Sequence, residues 1–247
     1  MVELGRFVQD LLKWSTQEFD FLRLSDGFVQ CSSMMPQKRN PVALEHCRAL
    51  ASLSFSQASA VFHSLHNTPY GDVVDVEDDL QPLVSRAFRD ALRVLRLLAA
   101  ALETAEFQRE NMRAAAVRGN TTMTELADTL VRRTDASFRQ AYRTTALFQE
   151  VRRKHPEFTL SEALDQAAAQ VLGRPLGWSL KFLEEVLSPE NFVRLRSHFG
   201  GPAPESLQEE IARSGANLRR HETELQSLQK RFDEFPQALR VLAESLK

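Results

Sequence analysis

The stretch Ser32-Ser33-Met34-Met35-Pro36-Gln37-Lys38-Arg39-Asn40-Pro41 decides how the rest of the chain is read. It lies within Ser25 to Pro41, where the helical periodicity of the flanking sequence fails. A patternless run of that length is longer than compact domains usually carry, and such loops tend to hold function. Two hydroxyls, Lys38, Arg39 and Asn40 are crowded into it. Asn40-Pro41 predicts a helix start, with Asn as N-cap and Pro at the first helical position. Cations beside the exposed N–H groups of a helix start favour an anion such as a carboxylate or phosphate. A solvated loop that merely caps a helix uses the same residue types, so composition alone leaves both readings open.

Outward from this loop, both flanks read as helix. Upstream, Leu4, Phe7, Val8, Leu11, Leu12 and Phe19 recur with amphipathic spacing from the first residues. Downstream, Leu44, Cys47, Ala51, Phe55, Ala58 and Phe62 predict a helix to about residue 65. Asn67–Asp72 reads as a second loop. Asp75, Glu77, Asp78 and Asp79 then suit the positive end of a helix expected to reach Glu106. The character changes after Arg113. Shorter helices are expected at 123–133, 137–154, 160–172, 178–186 and 189–195, then one at 205–232 and a short one to residue 247. The expected fold is all-α: a long-helix bundle (1–116, with the loop at 30–41) followed by a small C-terminal helical domain (117–247).

Composition narrows the classes. The 247 residues carry 31 basic and 33 acidic side chains, a formal charge of −2, which gives no basic footprint for nucleic acid. With 43% hydrophobic and 26% charged residues, the chain can bury a real core, and 9 glycines leave few of the turns a many-stranded sheet needs. Two cysteines, Cys31 and Cys47, argue against a disulfide framework. The N-terminal sequence lacks the pattern of a secretory signal, and no apolar run approaches the ~20 residues of a membrane span. A cytoplasmic protein is expected, with no membrane or nucleic-acid partner.

The order of residues in the loop resembles the Gly-Ser-Ser-x-Met-Pro-x-Lys-x-Asn-Pro loop of the fumarase/aspartase superfamily. The form with Gln after Pro is most similar to that of the argininosuccinate lyases. Leu12-Lys13-Trp14-Ser15 and Glu18-Phe19 resemble the family's approach to the loop. Glu125-Leu126-Ala127-Asp128, Phe138-Arg139-Gln140-Ala141 and Gly200-Gly201-Pro202-Ala203-Pro204-Glu205 resemble its C-terminal domain.

The resemblance implies an anti β-elimination across a carbon–nitrogen bond, splitting argininosuccinate, or a similar small molecule, to an amine and fumarate. Ser32 matches the proton-abstracting serine, whose alkoxide needs nearby N–H donors and cations. Lys38 and Asn40 match residues that hold the substrate carboxylate as its charge grows. Glu45 matches the carboxylate that orients a catalytic histidine; read alone, it is an exposed helix residue. Ser33, Met35, Gln37 and Tyr70 fall at substrate-contacting places, although a packed loop ring would explain Tyr70 equally. The family uses no metal or other cofactor and works as a homotetramer whose sites combine several subunits. Its upstream segments, including the source of the catalytic histidine, do not match any part of this sequence, so the chain reads as the C-terminal half of such a protein.

Some positions depart from the pattern. Asp75 and Asp78 stand where a Gln and a Lys are usual, Cys31 replaces a Gly, and Tyr142 replaces a frequent His. His46, His63 and His66 lack a familiar zinc spacing. Arg86, Arg89, Arg93 and Arg96 read as the polar stripe of a bundle helix. Two other functions fit the residues: a non-catalytic relative that only oligomerises, or a sister lyase acting on another succinyl adduct.

Overall fold

The computed structural model describes residues 1–31, 34–35 and 37–246. The fold is all-α, and the chain divides into two compact units, Met1–Ala115 and Ala116–Lys247.

In the first unit, α1 (Val2–Trp14) lays Val8 and Leu11, both fully buried, against α2 (Val42–Ser64). α2 packs in turn on α4 (Leu80–Glu103), with the short α3 (Val74–Glu77) between them in sequence. α2 and α4 run antiparallel, because their polar ties pair residues in opposite order. The Cys47 thiol donates to the Val94 carbonyl at 3.9 Å and the Ser54 hydroxyl to the Ala87 carbonyl at 2.8 Å. The core of Val8, Leu11, Leu44, Cys47 and Val94 is closed to solvent. Full burial of such a side chain contributes about 1.5–3 kcal/mol.

Between α1 and α2 the chain is more ordered than its lack of periodicity suggests. β1 (Leu22–Arg23) pairs antiparallel with β4 (Glu106–Phe107), which follows α4. A 3-10 turn (Asp26–Phe28) leads into a hairpin of β2 (Gln30–Cys31) and β3 (Arg39–Asn40). The hairpin corrects the expected helix start. Asn40 pairs with Gln30 instead of capping, and Pro41 occupies the N-cap position with no side-chain cap. A residue before proline is pushed out of the helical region into extended backbone, and here the hairpin uses that constraint.

α5 (Arg109–Arg118) crosses the division between the units in sequence. The second unit contains α6 (Met123–Arg133), α7 (Phe138–Lys154), α8 (Leu160–Leu172), α9 (Leu180–Val186) and α10 (Pro189–Arg194). Its helix starts are written locally. Ser137 with Gln140 and Thr159 with Glu162 form reciprocal capping boxes, and Ser179 and Ser188 each accept a backbone N–H. Gly173, at φ 77°, ends α8 in the left-handed conformation that glycine adopts without strain. Leu126, Leu130, Phe148, Leu164 and Leu183 are wholly buried in one cluster.

α11 (Pro204–Ser245) corrects a second expectation: one continuous helix replaces the predicted break after Phe232. Pro236 sits inside it and forgoes one backbone bond, while good helix formers on both sides carry the helix through. None of its residues is buried. Among the described residues, no helix is long and apolar enough to cross a membrane.

Candidate functional site

β2 and β3 form a two-stranded hairpin that takes in Arg39 and Asn40 of the motif. Its base is held by register pairs Gln30 with Asn40 and Cys31 with Arg39. Between the strands in sequence, the Lys38 N–H donates to the Met35 carbonyl at 3.0 Å, closing a turn. Arg39 anchors the hairpin from outside: its guanidinium donates to Asp26 Oδ1 at 2.5 Å and to the Leu24 carbonyl at 3.0 Å. That cation is committed to structure, whereas Lys38 is exposed.

A cleft of about 570 Å³ opens between this hairpin, the end of α1 and β1. Met35, Gln37, Lys38 and Asn40 all line it, so four of the expected site residues share one concave surface. Asn40 is half-buried while Gln37 and Lys38 are exposed. The apolar side comes from Leu12, Leu22, Leu24 and Val29, and Ser15, Thr16 and Gln17 add polar groups.

The far wall is held by a charged cluster absent from the sequence reading. Asp20, at φ 45°, turns the chain between α1 and β1, a conformation that Asp tolerates better than most side chains. Its carboxylate accepts two bonds from Arg23, at 2.9 and 2.8 Å, and one from Asn111 Nδ2 at 2.9 Å. The paired Arg23 guanidinium, helped by Asn111, holds the Asp20 carboxyl below its ordinary range, and the same bonds raise Arg23. Only the left-handed turn could have signalled this from sequence, since Asp20 and Asn111 lie 91 residues apart.

The remaining expected residues are placed differently. Ser32 and Ser33 lie outside the described residues. Glu45 is exposed one turn into α2, where its N–H donates to the Pro41 carbonyl at 3.1 Å, and it does not line the cleft. Tyr70 is fully exposed on the loop between α2 and α3, also outside the lining. Asp75 and Asp78 belong to the acidic surface around α3, where a shared hydrogen bond with Asp72 raises the Glu77 carboxyl. Burial pushes the Cys47 thiol up to about 11, whereas Cys31, in the hairpin, is exposed. A larger groove of about 740 Å³ in the second unit, lined by Asn120, Gln149 and Arg153 among others, carries no part of the motif.

The C-terminal motifs have structural tasks. Glu125 is buried, and its carboxylate accepts from Thr129 at 3.0 Å, from Arg132, and from Arg196 at 2.9 Å. Arg196 also reaches Asp128 at 3.4 Å and lies over the Phe192 ring. Its carbonyl leaves no room at Gly201, where an added Cβ would stand 2.1 Å from the oxygen. The Glu-Leu-Ala-Asp and Gly-Gly-Pro-Ala-Pro segments therefore lock onto each other through Arg196.

Two packed bundle helices with a hairpin carrying Gln37-Lys38-Arg39-Asn40 between α1 and α2 match what is expected of the C-terminal half of a fumarase/aspartase superfamily lyase. Residues 1–53 match a family model described as a lyase. Within that class the similarity is to argininosuccinate lyases. The chain is 38% identical over 229 residues to argininosuccinate lyase 2 of Agrobacterium fabrum, covering 91% of this chain and 45% of the relative. It is 30% identical over 242 residues to the argininosuccinate lyase of Methanosarcina acetivorans, covering 97% and 48%. Among solved structures, an EDDS lyase variant with bound fumarate superposes with a TM-score of 0.78 at 26% identity, over 91% of this chain and 45% of that one. The chain spans about half the length of the curated relatives it matches.

Proposed function

We propose that this chain supplies the loop-bearing part of a carbon–nitrogen lyase that splits argininosuccinate into arginine and fumarate, as in arginine biosynthesis. The observation that carries the reading is the convergence of Gln37, Lys38 and Asn40, in motif order, on one hairpin-walled cleft. In the proposed reaction, Ser32 removes the proton from the carbon next to a substrate carboxylate. Lys38 and Asn40 hold that carboxylate as it gains a second charge, which disperses the aci-carboxylate. The electron pair then forms the fumarate double bond and expels the nitrogen, which takes a proton from an acid. Preorganised donors of this kind are commonly worth about 3 kcal/mol each. Glu45 orients the histidine that serves as acid, and the histidine comes from sequence beyond this chain. The working form is a cytoplasmic homotetramer, and the large apolar side chains exposed on α2 and α4, such as Phe55, Phe62, Phe88 and Leu95, are surfaces for its subunit contacts.

A second substrate remains in competition on one observation: Asp75 and Asp78 stand where the argininosuccinate-lyase pattern has Gln and Lys. Carboxylates can pair with a guanidinium but do not replace Lys at an anion. A different succinyl adduct fits the same elimination, and the similar EDDS lyase variant holds bound fumarate.

The test is fumarate absorbance in the full-length or complemented enzyme, with argininosuccinate and other N-succinyl amines as competing substrates. Ser32→Ala is expected to lower turnover by at least about 10²-fold. Unchanged turnover in that variant overturns the role of Ser32. The absence of any turnover or substrate binding by calorimetry favours the non-catalytic relative.

A further inference from the structure

The exposed face of α11 has a period of its own. Ile211, Leu218, Leu225, Phe232, Leu239 and Leu246 recur every seven residues. A second series at the same interval, Leu207, Ser214, His221, Leu228, Phe235 and Leu242, falls four residues before each of them. These are the a and d positions of a left-handed coiled coil, sustained over almost the whole 42-residue helix of roughly 63 Å. All ten large apolar side chains on this seam are exposed. The helix is tied to its unit from another side. Ser206 donates to the Ser197 carbonyl and Arg213 covers the Phe199 ring, and both occupy c positions off the seam.

We infer that α11 is a self-association arm that pairs antiparallel with α11 of a second copy of this chain. The pattern selects both partner and direction. With the two seams fully overlapped antiparallel, Leu207 faces Leu246, Ile211 faces Leu242, Leu218 faces Phe235 and Leu225 faces Leu228, each layer joining an a to a d position. The two polar seam residues meet large ones, Ser214 against Leu239 and His221 against Phe232. On the flanks, Gly215 stands opposite Pro236, leaving space for the ring. Glu224 faces Arg231 of the second copy, twice by symmetry, an opposite-charge pair across the seam. In the single chain Glu224 lies 3.8 Å from the exposed Arg220.

Other arrangements lose these matches. A parallel in-register pair stacks His221 on His221 and Phe232 on Phe232 and makes no opposite-charge flank pair. Sliding the antiparallel pair by one heptad sets Glu222 and Glu224 against themselves in one direction and Arg231 against itself in the other. Such like-charge contacts discriminate between registers.

Disulfide trapping between differently tagged copies of the 247-residue chain tests the pairing. The exposed Cys31 is replaced by Ser, and one copy carries Ile211→Cys while the other carries Leu242→Cys. Antiparallel pairing makes the mixed disulfide the dominant product. Dominance of the Ile211→Cys self-disulfide overturns the direction. Absence of disulfide at both positions overturns self-association and assigns the seam to another segment or protein. In the same assay, Glu224→Arg is expected to lower the mixed-disulfide yield about fivefold, and Arg231→Glu in the same chain to restore it. Failure of the second substitution to restore the yield overturns the register.

Discussion

Glu125 and Lys38 both sit in motif segments of the same chain, and they show opposite relations to their surroundings. Glu125 is buried in the second unit, with Thr129, Arg132 and Arg196 all donating to its carboxylate. Lys38 stands exposed on the hairpin, its backbone held and its side chain turned to an open cleft. One region satisfies its polar groups internally, whereas the other leaves them exposed along a cleft. A motif residue is thus marked as structural or chemical by where its hydrogen-bonding capacity is spent.

The sharpest way to break this contrast is to truncate both residues. Glu125→Ala leaves two arginines without their buried partner. It is expected to destabilise the second unit by about 3 kcal/mol, toward the lower end for broken buried pairs because Arg132 is half exposed and can turn to water. Lys38→Ala should leave the unfolding free energy within about 0.5 kcal/mol of the parent. Equal losses in the two variants would show that the hairpin lysine is structural as well.

A smaller effect tests whether the two C-terminal motifs are locked by Arg196. Gly201→Ala puts a methyl group against the Arg196 carbonyl, a fixed backbone atom. The backbone must shift, at an expected cost of about 1–3 kcal/mol in denaturant unfolding. The same change at Gly71, where an added Cβ meets nothing within 4 Å, serves as the control and should be near neutral.

The helices were legible in the sequence wherever one face repeats, as in α2 and α6, or where a cap is spelled out, as at Ser137-x-x-Gln140. The hairpin was not, because its strands are two residues long and no period-2 pattern can show in so short a run. Asn40-Pro41 misled for a related reason. The dipeptide suits a helix start, but its backbone constraint also suits the end of a strand, and only the tertiary pairing with Gln30 decides. Within the site, Gln37, Lys38 and Asn40, close together in the motif, line one surface. The partners that fix this surface, Asp26 for Arg39 and Asn111 for Asp20, are distant or unremarkable in sequence and become visible only in the fold.

The anchoring role given to Arg39 yields a smaller expectation still. Arg39→Ala removes an exposed ion pair, and such pairs are worth at most about 1 kcal/mol, so global stability should barely change. The hairpin should respond more. Amide exchange at residues 30, 31, 39 and 40 is expected to quicken while exchange in α2 and α4 is unaltered. Unchanged hairpin exchange would assign the anchoring to the strand pairing alone.

The smallest effect concerns pH at the opposite wall of the cleft. The Asp20 carboxyl is held below its ordinary value of 3.8 by the bonds from Arg23, with Asn111 adding to them. A carboxyl lowered in the folded state binds its proton less readily there than in the unfolded chain. Its contribution is therefore complete above the unfolded value and is lost as pH falls through the lower folded one. Lowering the pH from 5 to below 3 should loosen the Asp20 turn, with lower protection from amide exchange, relative to the unstructured rate at each pH, at Arg23 and Phe21. Asp20→Asn keeps a short polar side chain but cannot titrate, so its local exchange should lose this pH dependence. A parent and a variant that loosen in parallel would move the acid sensitivity of this wall to other carboxylates. The far wall would then resemble Lys38, a group merely held in place, more than Glu125, whose charge helps to hold its surroundings together.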